Sequence, residues 1–186
     1  MARNNKTEFA VLGLLSLEPM SGYDMKTFIS QSIGYFWQES YGQIYPTLRK
    51  LLRENLVARK VESGPGRPDR HVYHITDAGR EKFTDWLVAE TDPEPVRNEL
   101  LLKIFFGPYT DPKHFIRHLE RLQEHQECLL QTYARIRKEK SKEFADDSFL
   151  PFEIATLRFG EHMAQARVRW CKETLATLRQ IEKEKE

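Results

Sequence analysis

Cysteine is nearly absent from this sequence: of 186 residues only Cys128 and Cys171 carry a thiol. They form no CxxC pair and fall far apart inside helical patterns, which suits a reducing cytoplasm better than a disulfide framework. Long apolar runs are missing too. No stretch approaches the roughly 18 residues that a membrane span needs, and no apolar segment of the signal-peptide kind follows Met1-Ala2-Arg3-Asn4-Asn5-Lys6. A cytoplasmic location is therefore expected. Catalytic signatures are lacking as well: no Gly-rich phosphate loop precedes a helix, and there is no GxSxG or HExxH, so no enzyme is expected. His114 and His118 stand four apart, at metal-ligand spacing, but no third ligand is near. A solvated face is expected there, with no metal and no cofactor.

Net charge is also close to nil, at +1. Its distribution says more than its sum. Between Tyr41 and Tyr73 lie Arg49, Lys50, Arg53, Arg59, Lys60, Arg67 and Arg70 against only Glu54, Glu62 and Asp69, a local surplus of four positive charges. A basic patch on a nearly neutral chain is the footprint of a compact nucleic-acid surface. Apolar residues at 40% and charged ones at 31% are ordinary for a soluble, helix-rich protein, long enough for one large domain or two small ones.

The periodicity then orders the chain. Residues 7 to 17 are too apolar for a surface helix and read as a buried one, stopped near Pro19. Ser21 caps a second helix, with Asp24 in its first turn and Tyr23, Ile29 and Ile33 facing inward. Ser40 and Gln43 fit a capping box that opens a third helix bearing Ile44, Leu48, Leu51 and Leu52. Pro46 inside that helix leaves its start open, and Asn55 suits the left-handed residue that ends it. The period next changes to two. Val57 to Val61 and His71 to Ile75 read as strands of a hairpin whose basic tip spans residues 62 to 69. Thr76 caps a fourth helix, with Phe83, Trp86 and Leu87 on its apolar side. Pro93 and Pro95 among acids mark a boundary. A short helix over 98 to 106 follows, then long helices over about 111 to 140 and 152 to 182.

These elements make a mainly α fold: a winged helix-turn-helix with a two-stranded wing, then a long-helix dimerisation domain. The expected units are a DNA-binding domain over 1–90, a linker over 91–97 and a helical dimerisation domain, potentially effector-sensing, over 98–186. In such a fold the third helix enters the major groove and offers its first side chains to base edges. Tyr41, Gln43, Tyr45 and Thr47 are the candidates, with Tyr45 also packing. Arg49, Lys50 and Arg53 would meet phosphate. Arg67 and Arg70, on a loop stiffened by Pro65 and Pro68, would touch the backbone or minor groove. Double-stranded DNA is thus the expected partner. A winged helix used only for protein contact is the alternative, against which the basic wing argues.

The segments Met20-Ser-Gly-Tyr-Asp24, Tyr41-Gly-Gln-Ile-Tyr-Pro-Thr-Leu48 and Gly66-Arg-Pro-Asp-Arg-His-Val-Tyr-His-Ile-Thr-Asp-Ala-Gly79 resemble the signature stretches of PadR-type transcriptional regulators. Arg97-Asn-Glu-Leu-Leu-Leu-Lys-Ile-Phe-Phe-Gly107 resembles the opening of the C-terminal domain in their virulence-activator-like branch. The family usually has Gly where this chain has Asn55. The resemblance implies a homodimer on a near-palindromic operator; some members of the family respond to small phenolic ligands.

Dimerisation has its own signal. Phe115, Leu119, Leu122, Leu129 and Ile136 fall on a heptad grid, with Gln126 and Tyr133 filling its gaps. The remaining chain looks too short to cover that stripe, so a second copy is expected to do so. On the last helix, Phe152, Phe159, Met163, Ala166 and Trp170 form another stripe. Arg158, His162 and Trp170 are the expected lining of a site for an aromatic or phenolic effector between this helix and the winged domain.

Overall fold

The structure, a computed structural model, describes residues 6–64, 67–91, 97–143 and 148–184. The chain divides into two compact units, Met1–Pro93 and Glu94–Glu186. In the first, helices α1 (Thr7–Leu17), α2 (Gly22–Gln31) and α3 (Tyr41–Arg53) precede a hairpin of β1 (Val57–Gly64) and β2 (Arg67–Ile75), and α4 (Asp77–Val88) closes the unit. The core joins Val11, Leu12, Leu14 and Leu15 of α1 to Met25 and Ile29 of α2, Ile44, Leu48 and Leu51 of α3, and Val57 and Tyr73 of the hairpin.

Local chemistry sets the element ends. Ser21 Oγ accepts from Asp24 N–H, while Ser21 N–H donates to the Asp24 carboxylate at 2.8 Å, a reciprocal capping box. Asn55 ends α3 at φ 57°, the left-handed region that asparagine tolerates. Thr76 Oγ1 ties two elements together: it donates to Asn55 O at 2.8 Å and accepts from Gly79 N–H at 3.1 Å. Gly79 is required by close approach, since a Cβ there would lie 2.1 Å from Leu56 O.

Three expectations are corrected. Tyr23 points outward, 65% exposed, and Met25 takes the inward place beside Ile29. Leu87 is likewise exposed, while Phe83 and Trp86 turn inward and Trp86 stacks on Phe9 of α1 at 4.6 Å between ring centroids. The strands run further than 57–61 and 71–75. The antiparallel ladder extends from Val57↔Ile75 to Glu62↔Arg70 and resumes at Gly64↔Arg67 after an irregularity, so pairing consumes most of the expected tip.

The second unit holds α5 (Glu99–Phe105), a 3-10 turn over Gly107–Tyr109, α6 (Pro112–Glu143) and α7 (Leu150–Lys183). Asn98 caps α5 through Leu101 N–H at 3.1 Å. Leu119 of α6 and Cys171 and Leu175 of α7 form the centre, with Leu100 and Ile104 of α5 packed on it. The α6–α7 pair is also bridged by Arg137–Glu161, Lys140–Glu153 and Arg179–Glu120.

Candidate nucleic-acid interface

The third helix exposes one face and buries the other. Ile44, Thr47, Leu48 and Leu51 are buried, whereas Gly42, Pro46, Arg49 and Arg53 fall on the opposite side at a helical spacing of four, three and four. This outward face is narrow and basic. At its first turn there is no side chain on Gly42, so a ligand surface can approach the backbone closely. Pro46 lies within the helix, settling the open start: α3 begins at Tyr41. Pro46 has no N–H to donate to the Gly42 carbonyl one turn back.

The expected contact residues divide accordingly. Tyr41 and Tyr45 are part-exposed and stacked at 6.1 Å on one flank. The Tyr45 ring also lies against α2, where a Cβ on Gly22 would sit 2.8 Å from it. Arg49 and Arg53 are exposed and have no ion-pair partner among the described residues. Gln43 is exposed, but its Oε1 accepts from Ser40 N–H at 2.9 Å and Ser40 Oγ at 2.8 Å. Two-point pairing with adenine would need that oxygen released.

Thr47 and Lys50 are corrections. Thr47 is only 5% exposed, since it falls on the inward side of α3 between Ile44 and Leu51. Lys50 turns away from the outward face to Glu8 of α1 at 2.5 Å, with Glu54 at 3.9 Å. Lys82 of α4 completes the cluster, 3.5 Å from Glu8 and 3.6 Å from Glu54. The hydrogen bond to Glu8, opposed by some desolvation, holds the Lys50 ammonium above the ordinary lysine value.

On the wing, Arg59 and Lys60 of β1 are exposed. They belong to the basic surplus but were not singled out as contacts. The Arg67 side chain lies outside the described residues, as do Pro65 and Gly66. Arg70 pairs with Asp24 of α2. Burial alone would raise the Asp24 carboxyl, but hydrogen bonds from Ser21 and Arg70 outweigh it and hold the group below its ordinary value. A backbone bridge reinforces this junction: Tyr73 N–H donates to Met20 O at 2.9 Å, and Met20 N–H to Tyr73 O at 3.2 Å. Sequence places Asp24 only in the first turn of α2; the wing contact has no local signal.

In the second unit the heptad stripe is partly covered from within. Phe115 and Leu119 are buried, as are Gln126 and Tyr133, and Leu122, Leu129 and Ile136 are part-buried. Leu119 and Leu122 pack with Cys171, Leu175 and Leu178 of α7, and a Cβ on Gly160 would meet the Tyr133 ring at 3.0 Å. At Leu119, Leu122 and Tyr133 that stripe packs on this chain's own last helix. What α7 leaves uncovered is Phe152, 73% exposed, Phe159, 64% exposed, Met163 and Ala166, beside exposed Leu102, Phe105 and Phe106 around α5. Arg158 and His162 are exposed, whereas Trp170 turns to the Leu119–Cys171–Leu175 core. Twelve helical residues separate Arg158 from Trp170, roughly 18 Å of rise, so α7 alone does not gather the three into one pocket for an aromatic acid.

Comparison with known proteins matches both units. Residues 11–85 fit the transcriptional regulator PadR-like family, and residues 96–179 fit the virulence activator alpha C-terminal family. The chain is similar to the probable transcriptional regulator Rv1176c of Mycobacterium tuberculosis, 30% identical over 185 residues that cover 92% of this chain and 96% of that protein. It is 34% identical over 100 residues to the negative transcriptional regulator PadR of Bacillus subtilis; that match spans about half of each, 53% of this chain and 55% of the relative. The crystal structure of B. subtilis PadR in complex with operator DNA shares the fold, with TM-score 0.79 over 92% of this chain and 98% of that one at 24% identity. A complex of the same protein with p-coumaric acid gives TM-score 0.73 at 23% identity over 92% and 97%. The Vibrio cholerae virulence activator AphA gives TM-score 0.74 at 29% identity over 94% of this chain and 98% of that one.

Proposed function

The chain belongs to the PadR-like family of transcriptional regulators, and from that premise we propose that it binds a near-palindromic operator as a homodimer in the cytoplasm. The carrying observation is the outward face of α3, where Gly42, Pro46, Arg49 and Arg53 stand clear of the core with Tyr41 and Tyr45 on the flank. A groove-reading helix needs such a face: bare backbone for close approach and cations for phosphate. Arg59 and Lys60 add positive charge on the wing. The test is genome-wide mapping of bound sites, followed by binding to the recovered sequence and to random duplex across a range of salt. Recovery of no common sequence, with equal affinity for both duplexes, would leave the protein-contact alternative.

The dimer reading rests on the aromatic stripe of α7. Phe152, Phe159 and Met163 lie exposed on a helix whose other side is already packed, and a second copy would bury them. A two-fold dimer would present two recognition helices to half-sites about one DNA turn apart, ~34–36 Å. Repression is the favoured sign, supported by the name of the B. subtilis relative, a negative regulator. A small aromatic acid as effector is supported by the p-coumaric acid complex of that same relative. Titration with simple phenolic acids, reading both tryptophan fluorescence and DNA affinity, tests it; unchanged affinity at saturation removes the effector from the scheme.

A further inference from the structure

The wing is gripped by the chain segment that opens α2, at two points three residues apart on β2. At the first, Met20 and Tyr73 exchange backbone hydrogen bonds. At the second, Arg70 donates to Asp24 Oδ2. Three residues of strand span roughly 10 Å, so the second grip lies well out along the hairpin. It also falls where regular pairing stops, because the ladder is irregular between Glu62 and Gly64, just past the Glu62↔Arg70 pair.

Asp24 is a fixed point for such a grip. The oxygen that meets Arg70 also accepts from Ser21 N–H and Ser21 Oγ, each at 2.8 Å. The carboxylate is therefore held by the helix cap and cannot follow a moving wing. Arg70, in turn, is poorly placed to receive phosphate. It has Asp24 as ion-pair partner and Glu62 across the strand, and these acids weaken the local pull on an anion.

We propose that Asp24 is a positioning residue for DNA binding: its carboxylate anchors the wing to α2 through Arg70, and Arg70 serves as that anchor instead of as a phosphate contact. The inference rests on the DNA-binding reading above. Both side chains are partly exposed, so the anchor biases wing direction by a modest factor and is not needed for folding.

The experiment uses the full chain and a fluorescein-labelled random-sequence duplex long enough for two half-sites. Anisotropy across a salt series compares wild type with Asp24→Asn, Arg70→Ala and the double variant, alongside thermal melts. Asn keeps the shape and acceptor oxygen needed at the cap. Each single variant should bind roughly two- to fivefold more weakly. The double should bind no more weakly than either single, and the salt slope should stay at the wild-type value. A phosphate-contacting Arg70 predicts the reverse sign for Asp24→Asn, which would free the arginine and tighten binding, and a slope about one unit smaller for Arg70→Ala. Either result overturns the anchor, as does a lower melting temperature with unchanged affinity. If wild type itself shows no salt-dependent binding, the DNA-binding reading falls first; if wild type binds and Asp24→Asn matches it, only the anchor falls.

Discussion

Lys50 leaves the basic face of its own helix and reaches Glu8 of α1 at 2.5 Å. Sequence alone groups it with Arg49 and Arg53; the structure makes it part of the joint between α1, α3 and α4. Arg49→Ala and Arg53→Ala should each lower the slope of log affinity against log salt by about one unit. Lys50→Ala should leave that slope unchanged. Anisotropy titrations at several salt concentrations separate the three, and an equal slope change for Lys50→Ala would return it to the interface.

The same lysine predicts an alkaline effect. Its folded-state value is raised by Glu8, so the pair stabilises fully below the unfolded value of about 10.4 and is lost as pH rises through the folded one. Asp24 has the opposite sign. Its value is lowered, so its contribution is present above about 3.9 and is lost as pH falls through the folded value. Urea midpoints followed by far-UV circular dichroism should show Lys50→Met flattening the alkaline limb and Asp24→Asn the acid limb. Neither substitution should change how stability varies with pH near neutrality.

Gly79→Ala should be the most damaging small change in the first unit. The added carbon would stand 2.1 Å from Leu56 O and 2.9 Å from Ile75 Cγ1. Backbone cannot yield there without breaking the Thr76 link to Asn55 O, so a loss of at least about 2 kcal/mol is expected. A melting curve indistinguishable from wild type would show that the junction between wing and α4 is more yielding than its geometry implies.

Substitutions on the exposed face of α7 and in the seam where α6 packs on it should have different consequences. Phe159→Asp lies on the exposed stripe and should shift sedimentation from dimer to monomer while leaving the helical signal intact. Leu119→Glu places a charge at a fully buried site between α6 and α7 and should unfold the second unit. A Phe159→Asp protein that remains dimeric at micromolar concentration moves the self-association surface elsewhere.

What could be read from sequence follows the range of the interactions. Caps at Ser21, Ser40 and Thr76 depend on residues within a few positions, and the left-handed Asn55 needs no distant partner, so all four are legible; Asn98, the cap of α5, falls inside the apolar run of 98 to 106 and gives no separate signal. Heptad spacing announces that one side of α6 is covered but does not say by what; α7 of the same chain answers that. Tyr23 was misjudged because an aromatic in an amphipathic pattern looks inward, whereas the neighbouring Met25 fits the core. Lys50 and Arg70 were both read as outward cations because their partners, Glu8 and Asp24, lie some forty residues back along the chain. The basic surplus was visible as a sum, and only tertiary structure apportions it between salt links and open surface.

The backbone exchange between Met20 and Tyr73 also constrains the order of folding. Helices α1 to α3 and the β1–β2 hairpin close short loops and can form early, but this pair encloses α2, α3 and most of the hairpin. Long loops are entropically slower to close than short ones. On a ribosome the lead-in to α2 stays without its strand partner until residue 73 has emerged, and the buried Met20 side chain has no wing to cover it before then. The wing must therefore be complete before α4 can close the first unit, and a nascent chain stalled before β2 would hold three helices around an open core.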